Sequence, residues 1–529
     1  MSKRTSVAVL ALTLTAAGHL AGRQTPQQPF DVLIVNGRVL DGSGNPWTRA
    51  DVGIRGDRIV AVGRLAGQQA SAVIDARGRI VAPGFMDVHS HALGGLTNEN
   101  LREGRALLAQ GVTLVVGNPD GGGSVDLKEQ RERLEADGGI GVNAALLIGH
   151  ASVRNAAMRG EGGGGTNNRA PTAEELDRMR ELVRQAMADG AFGVSSGLFY
   201  TPGRFAKTEE VIAITREAAG TVYTSHIRDE GSYDVGVVAS VDEVIRIAEE
   251  AGVRGIVSHM KALGPDSWGL GKTLVEHIDA ARARGVEVYA DQYPYEASST
   301  GLSAAVMPGE GTAAAKEAMA NEEAKKAFLA VVKENIRRRG GPASIVMASG
   351  RGVSGAVGQH LEQIAKKRGI TLEQAAVDIV LAGGASIVSF NMSEEDIATI
   401  MRQPWTMASS DGGLTTPGAG QPHPRGNGAF ARRIARYVRE RGVISLEHAI
   451  RTATSLPARV FGFADRGDIR AGAFADIVIF DPAKVVDRAT YSDPHQLSEG
   501  FDWVLVNGQI ARREGEFTGV GAGRVLRRD

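Results

Sequence analysis

Apolar and polar positions alternate at the two ends of the chain and recur at helical spacing through its middle. The segments DVLIVNGRVLDG, ADVGIRGDRIVAVGRL and AVIDARGRIVAPG are β-branched runs cut by Gly, Asn and Asp turn signals, which predicts short strands. ADIVIFDPAKV and FDWVLVNGQIARREGEF repeat that texture near the other end. Residues 30–82 and 465–529 are therefore expected to pair into one small discontinuous β-sandwich domain, which brings the chain termini close together.

Between these ends the pattern alternates helix and strand, the mark of parallel βα units. Thr172 and Glu175 offer a capping box, and Leu176, Met179, Leu182, Val183, Ala186 and Met187 share one helical face before Gly190 and the strand-like AFGVSSG. Ser240 and Glu243 are expected to open a second helix, with Val244, Ile247, Ala248 and Ala251 on one side and Gly252 ending it. Candidate barrel strands are IVAPGFMDVHSH, VTLVVGN, VNAALLIGH, FGVSSG, TVYTSH, GIVSH, VEVYADQ and WTMASSD, and eight is the number that closes a TIM (β/α)8 barrel, here over residues 83–464. The stretch from about 303 to 393 is too long for a connection and is read as an inserted lid.

Composition narrows the function. Apolar residues make up 43% and charged residues 23% of 529, the balance of a globular protein with room for a large core. With 60 basic against 61 acidic residues there is no basic field for nucleic acid, and the expected partner is a small molecule. Lys3 and Arg4 precede an apolar run from Val7 to Ala17 and then small residues, so residues 1–22 read as a signal peptide and the location as periplasmic or secreted. The run is too short to span a bilayer, which takes ~20 apolar residues. There is no cysteine, hence no disulfide and no thiolate ligand. Oligomeric state leaves no trace in the sequence.

The histidines carry the chemistry. His89 and His91 lie two apart at the end of the first barrel strand, so both imidazoles face one side. His226 ends the fifth strand, His259 the sixth, and Asp411 follows the eighth. A TIM barrel places its active site at these strand ends, and four imidazoles with a carboxylate form a site for zinc or a similar divalent ion.

The set PGFMDVHSH, SSGLFYTPG, SHIRDEG, SHMKALG, YPYEAS, SSDGG and HPRGNGAFAR, in this order, resembles the amidohydrolase superfamily and, within it, the D-aminoacylase (N-acyl-D-amino-acid deacylase) family, from about Phe30 onward. The resemblance implies that His89, His91, His226 and His259 are metal ligands and that Asp411 is the catalytic acid/base, able also to touch the metal. Members of that family commonly have a metal-binding cysteine in a GNCG segment after the second strand. Here the segment is GNPDGGG, in which Asp120 is the nearest replacement although Pro119 aligns more directly with the cysteine. No lysine stands near the ends of the second to fourth strands to act as a carboxylated bridge, so the number of ions, one or two, is open at this point.

An N-acyl amino acid presents a carboxylate that wants a charge-assisted partner. Arg425, Lys261 and Arg228 are candidates, with Tyr200, Tyr293 and Ser298 as hydroxyl donors; the resemblance favours Lys261, Tyr200, Tyr293 and Arg425. His150 and Arg154 in GHASVR also match a family segment and are expected behind the site, while GEGGGGTNN and GAGQPHPRGNG read as loops near the mouth. The expected reaction is hydrolysis of a linear amide, an N-acyl-D-amino acid or a D-containing dipeptide, by metal-activated water with Asp411 moving the proton. The alternatives are a cyclic-amide hydrolase of hydantoinase or dihydropyrimidinase type and a non-catalytic binding protein.

Overall fold

The structure, a computed structural model, describes residues 29–136, 138–158, 168–307, 309 and 311–528. The leader segment 1–22 and most of the GEGGGGTNN run fall outside them. Eight parallel strands form the centre: β1 (Phe85–Asp87), β2 (Val112–Gly117), β3 (Asn143–Leu146, continued by Ile148–Gly149), β4 (Gly193–Gly197), β5 (Val222–His226), β6 (Arg254–Val257), β7 (Val288–Gln292) and β8 (Thr406–Ala408). β1 to β3 pair as one ladder, and the continuation of β3 starts a second that runs through β4, β5, β6 and β7 to β8. β8 returns to β1 through the segments beyond the strands: Asp411 N donates to His89 O and His91 N to Gly412 O, each at 2.9 Å. The seam of the barrel is thus made by site residues.

One apolar cluster takes Met86, Leu114, Ala145, Phe192, Val222, Ile256 and Met407, with Tyr289 packed against it, so every strand or the residue beside it contributes. That is a barrel filled by side chains rather than a pore. The outward faces pack on helices in a separate, larger cluster.

The helix starting after Thr172 is capped as expected. Thr172 Oγ1 accepts from Glu175 N at 3.2 Å, Glu175 Oε2 accepts from Thr172 N at 2.8 Å, and the helix runs Ala173–Ala188. The second helix differs: it spans Val237–Ala251, so Ser240 lies in its first turn and does not cap it. The reason is Asp229, whose carboxylate accepts from the backbone N–H groups of Gly231, Asp234 and Gly236 and so orders the turn three residues early. Gly252, at φ +67°, ends the helix.

The terminal segments share one nine-stranded sheet, joined where Ile80–Pro83 runs antiparallel to Ile477–Phe480. Two stretches of the C-terminal part leave it. Residues 519–528 run under the barrel, where Val525 bridges Ala144 and Arg528 N donates to Gly190 O. Residues 481–500 climb to the barrel mouth: Asn427 Nδ2 donates to Pro494 O at 2.6 Å, and the Tyr491 ring packs 5.2 Å from that of His423.

Between β7 and the helix Glu394–Met401 lies an insertion bounded by Ala297 and Phe390. It has an antiparallel sheet of Ala297–Gly301, Ser386–Phe390 and Ile345–Ser349, helices, and a core of its own that includes Leu302, Val332, Ile345 and Ile387. This insertion, expected over about 303–393, has a sheet as well as helices and begins early enough to include Ser298. Among the described residues no helix is long and apolar enough to cross a membrane.

Candidate active site and metal centre

His89 and His91, Asp120, His226, His259 and Asp411 stand at or just beyond the carboxyl ends of β1, β2, β5, β6 and β8. Asp120 (φ +55°), His259 (φ +35°) and Asp411 (φ +50°) are all left-handed, a conformation that non-glycine residues keep only when their surroundings impose it. Around Asp120 the imposition is visible. A Cβ on Gly197 would meet Asp120 O at 2.4 Å, and one on Gly149 would meet Gly122 O at 2.2 Å. Gly121 N donates to Ser195 Oγ at 3.2 Å, and Ser152 N to Gly121 O at 3.1 Å. The GNPDGGG segment is therefore pressed onto the ends of β3 and β4, with the Asp120 carboxylate turned towards the histidines.

Donor atoms held at about 2.1 Å by one tetrahedral ion lie about 3.4 Å from one another. His89 Nε2 is 3.4 Å from Asp120 Oδ1 and 3.6 Å from Asp411 Oδ1; His91 Nε2 is 3.4 Å from Asp120 Oδ2 and 3.2 Å from Asp411 Oδ1. His259 Nε2 is 3.6 Å from Asp120 Oδ1 and 3.0 Å from His226 Nδ1. His89 Nε2, Asp120 Oδ1 and His226 Nε2 are buried without a hydrogen-bond partner, a rare state for polar atoms that a coordinated ion would relieve. The spacing and the orphaned atoms both fit a divalent cation, and the imidazole and carboxylate donors suit zinc.

Glu230 was given no role from the sequence. Its carboxylate faces His259 Nδ1 at 3.0 Å and His226 Nε2 at 3.8 Å, and it is the ion-pair partner of Lys261. Its signal was a carboxylate four residues after His226 within SHIRDEG, a turn beyond the strand and so outside any strand-end rule. Lys261 Nζ also lies 2.7 Å from His259 Nδ1. An imidazole that offers Nε2 to a metal carries its proton on Nδ1, which a carboxylate can accept and an ammonium cannot. Glu230 is therefore the partner compatible with ligation.

Burial alone would push the carboxyls of Asp120, Glu230 and Asp411 upwards, but the electrostatic and hydrogen-bonding partners around them win. His89 and His259 beside Asp120, Lys261 and His226 beside Glu230, and Arg425 and His259 beside Asp411 hold all three below the usual carboxylate range. All are anions at neutral pH, as ligands and a general base must be.

These groups line a cavity of about 360 Å³ together with Tyr200, Tyr293 and Ser298; His89, 1% exposed, lies beneath its floor. Arg425 Nη1 is 2.6 Å from Asp411 Oδ2. Arg425 and Lys261 flank the Tyr293 ring at 4.8 and 5.5 Å from its centre. Tyr200 OH is 3.1 Å from Thr300 Oγ1. Arg228, read as a carboxylate partner, instead pairs with Glu243 at 2.7 Å and caps the carbonyls of Arg204 and Ala206, away from the cavity. His150 and Arg154 also stand off the cavity wall, sharing the buried Glu210.

A profile described as the amidohydrolase family matches residues 72–512. A D-aminoacylase of Alcaligenes xylosoxydans xylosoxydans is 36% identical, with 96% of this chain and 99% of that protein aligned. Among solved structures, an N-acyl-D-glutamate deacylase of Bordetella bronchiseptica, complexed with zinc and a phosphonate that mimics the tetrahedral intermediate, superposes with a TM-score of 0.80 at 35% identity, over 94% of this chain and all (100%) of that one. A D-aminoacylase described for its binuclear metal centre, with activation by one metal and attenuation by the second, gives a TM-score of 0.80 at 33% identity over 94% of this chain and 100% of that one.

Proposed function

This chain belongs to the amidohydrolase family, and from that premise we propose that it is a zinc-dependent deacylase that hydrolyses the linear amide of N-acyl-D-amino acids to a carboxylate and a free amino acid. The observation that carries the reading is the convergence of His89, His91, Asp120, His226, His259 and Asp411 beside the Lys261–Tyr293–Arg425 group in one cavity.

Asp120 is within 3.8 Å of His89, His91, His226 and His259, and His89, Asp120, His259 and Asp411 would together hold a divalent ion, with His226 and Glu230 beside His259 able to hold another. A divalent cation held there supplies a Lewis acid for the amide carbonyl and makes water acidic enough to react at neutral pH. Asp411, anionic and held in place by Arg425, takes the proton of the attacking water and returns it to the leaving nitrogen, so that a neutral amine departs. Lys261, Arg425 and the Tyr293 hydroxyl receive the α-carboxylate, Tyr200 directs its hydroxyl at the remaining polar groups of the substrate, and Ser298 lines the same cavity.

The test is release of amine from a panel of N-acetyl-D- and L-amino acids, and ring opening of hydantoin and dihydrouracil to their carbamoyl acids, by the zinc-loaded protein. Turnover confined to the linear D-substrates supports the assignment. Turnover of the rings alone, or zinc binding with no turnover at all, overturns it. The Lys3–Arg4 start and the Val7–Ala17 run support export to the periplasm; N-terminal sequencing of protein recovered from fractionated cells tests this, and a retained residue 1 in the cytoplasmic fraction refutes it.

A further inference from the structure

Three consecutive arginines end the helix Glu322–Arg338 of the insertion, and they have different fates. Arg337 pairs with Asp266 and Glu334 at the surface, and Arg338 reaches Glu334 at 3.3 Å. Arg339 turns inward. It is 2% exposed and forms part of the wall of the catalytic cavity.

Every partner of Arg339 is neutral. Its Nη2 donates to Ser298 Oγ at 3.0 Å, its Nε to Ser389 Oγ at 3.3 Å and its Nη1 to Tyr233 OH at 3.4 Å. With the Asn391 amide turned so that its oxygen faces the guanidinium, that oxygen accepts from Nη2 at 3.2 Å. Among the described residues no carboxylate lies within 4.0 Å of Arg339. The lysine and the other arginine of the cavity wall each face a carboxylate of the protein, Lys261 that of Glu230 and Arg425 that of Asp411, whereas Arg339 faces none. A buried charge without a counter-ion is costly unless something neutralises it, and a guanidinium presents its donors in a fork that fits a carboxylate. Lys261 and Arg425 flank the Tyr293 ring, whereas Arg339, at the end of the insertion's helix, is held by Tyr233, Ser298 and Ser389. The same cavity thus offers a cation that belongs to neither the Lys261–Glu230 nor the Arg425–Asp411 pair.

We propose that Arg339 receives a second carboxylate of the substrate, so that the preferred substrates are N-acyl-D-amino acids with an acidic side chain. The proposal rests on the deacylase reading for the position of the α-carboxylate; it adds the side-chain class. Tyr233, Ser298, Ser389 and Asn391 hold the guanidinium in place and leave its charge and one Nη1 N–H to the ligand.

Two measurements keep the proposal separate from that reading. In the first, kcat/KM of the zinc-loaded protein is compared for N-acetyl-D-glutamate, N-acetyl-D-aspartate and N-acetyl-D-leucine. The wild type should favour an acidic substrate at least tenfold. Arg339→Gln should lower the acidic value by about 100-fold while changing the leucine value less than about threefold; Arg339→Lys, which keeps the charge and loses the fork, should fall between. A wild type that prefers leucine, or an Arg339→Gln loss equal for all substrates, overturns the proposal and leaves the deacylase reading standing. In the second, binding of glutarate and of valerate to the zinc-loaded protein is measured by calorimetry. Glutarate should bind at least tenfold more tightly, and that advantage should vanish in Arg339→Gln. Equal binding of the two acids refutes a second carboxylate site even if no amide is turned over.

Discussion

Glu230 Oε1 lies 3.0 Å from His259 Nδ1, while the other nitrogen of the same ring faces Asp120 at 3.6 Å. The carboxylate thus fixes which nitrogen of His259 is free for a metal, and it also holds Lys261 by an ion pair. Glu230→Gln keeps the shape but accepts the imidazole proton less well. Zinc affinity, measured by competition with a chelator, should weaken by about 10- to 100-fold, and KM should rise as Lys261 loses its anchor. Unchanged zinc affinity would show that Glu230 serves Lys261 alone.

Asp120 lies within 3.8 Å of all four histidines of the site. Asp120→Ala should remove at least one equivalent of metal, read by elemental analysis of the dialysed protein, and lower kcat/KM. Full metal content with normal turnover would make the carboxylate a turn residue only.

Asp411 separates chemistry from binding. Asp411→Asn keeps the shape and one oxygen, for either His91 or Arg425, but cannot take a proton, so turnover should fall by about 10² to 10⁴-fold with metal still present. Loss of metal instead would mean that the residue is mainly a ligand.

The glycines under Asp120 make a structural prediction. Gly197→Ala places a methyl 2.4 Å from Asp120 O, whereas Gly94→Ala meets nothing within 4 Å. The first should cost about 1–3 kcal/mol in a denaturant titration and weaken metal binding, and the second should do neither.

Away from the site, Glu175 is held down to about 2, mainly by its hydrogen bonds from Arg169, with burial opposing. A carboxyl lowered on folding stabilises fully above its unfolded value, about 4.3, and loses that contribution as pH falls through the folded one. Tm of the wild type should therefore fall more steeply between about pH 4.5 and 2 than Tm of Glu175→Gln. Parallel curves would show that the Arg169 pair adds nothing.

The sequence made the order of the parallel strands and the candidate ligands legible because both follow short-range rules. A ligand two residues from another at a strand end, as with His89 and His91, is visible in one dimension. Asp120 needed more: only the close contacts of Gly149 and Gly197 show that the turn is forced inward, and those contacts join residues far apart in the chain. Glu230 and Arg339 were missed for the same reason. Each matters through its neighbours, His259 and Lys261 for one and a set of neutral hydroxyls for the other. The start of the helix Val237–Ala251 was misplaced because Asp229, eight residues upstream of Val237, supplies the carboxylate that orders its first turn.

The climb of residues 481–500 to the barrel mouth has a consequence for synthesis. Phe30–Val39, the first described strand, pairs with Ile80–Pro83, whose other edge is filled only by Ile477–Phe480. The Asn427 and His423 region of the mouth receives Pro494 and Tyr491 later still. A nascent chain therefore carries an unpaired strand edge and an unfinished mouth until nearly its whole length has been made. Contacts of such long sequence separation form slowly, so the outer sheet and the catalytic end mature together, as the last act of folding.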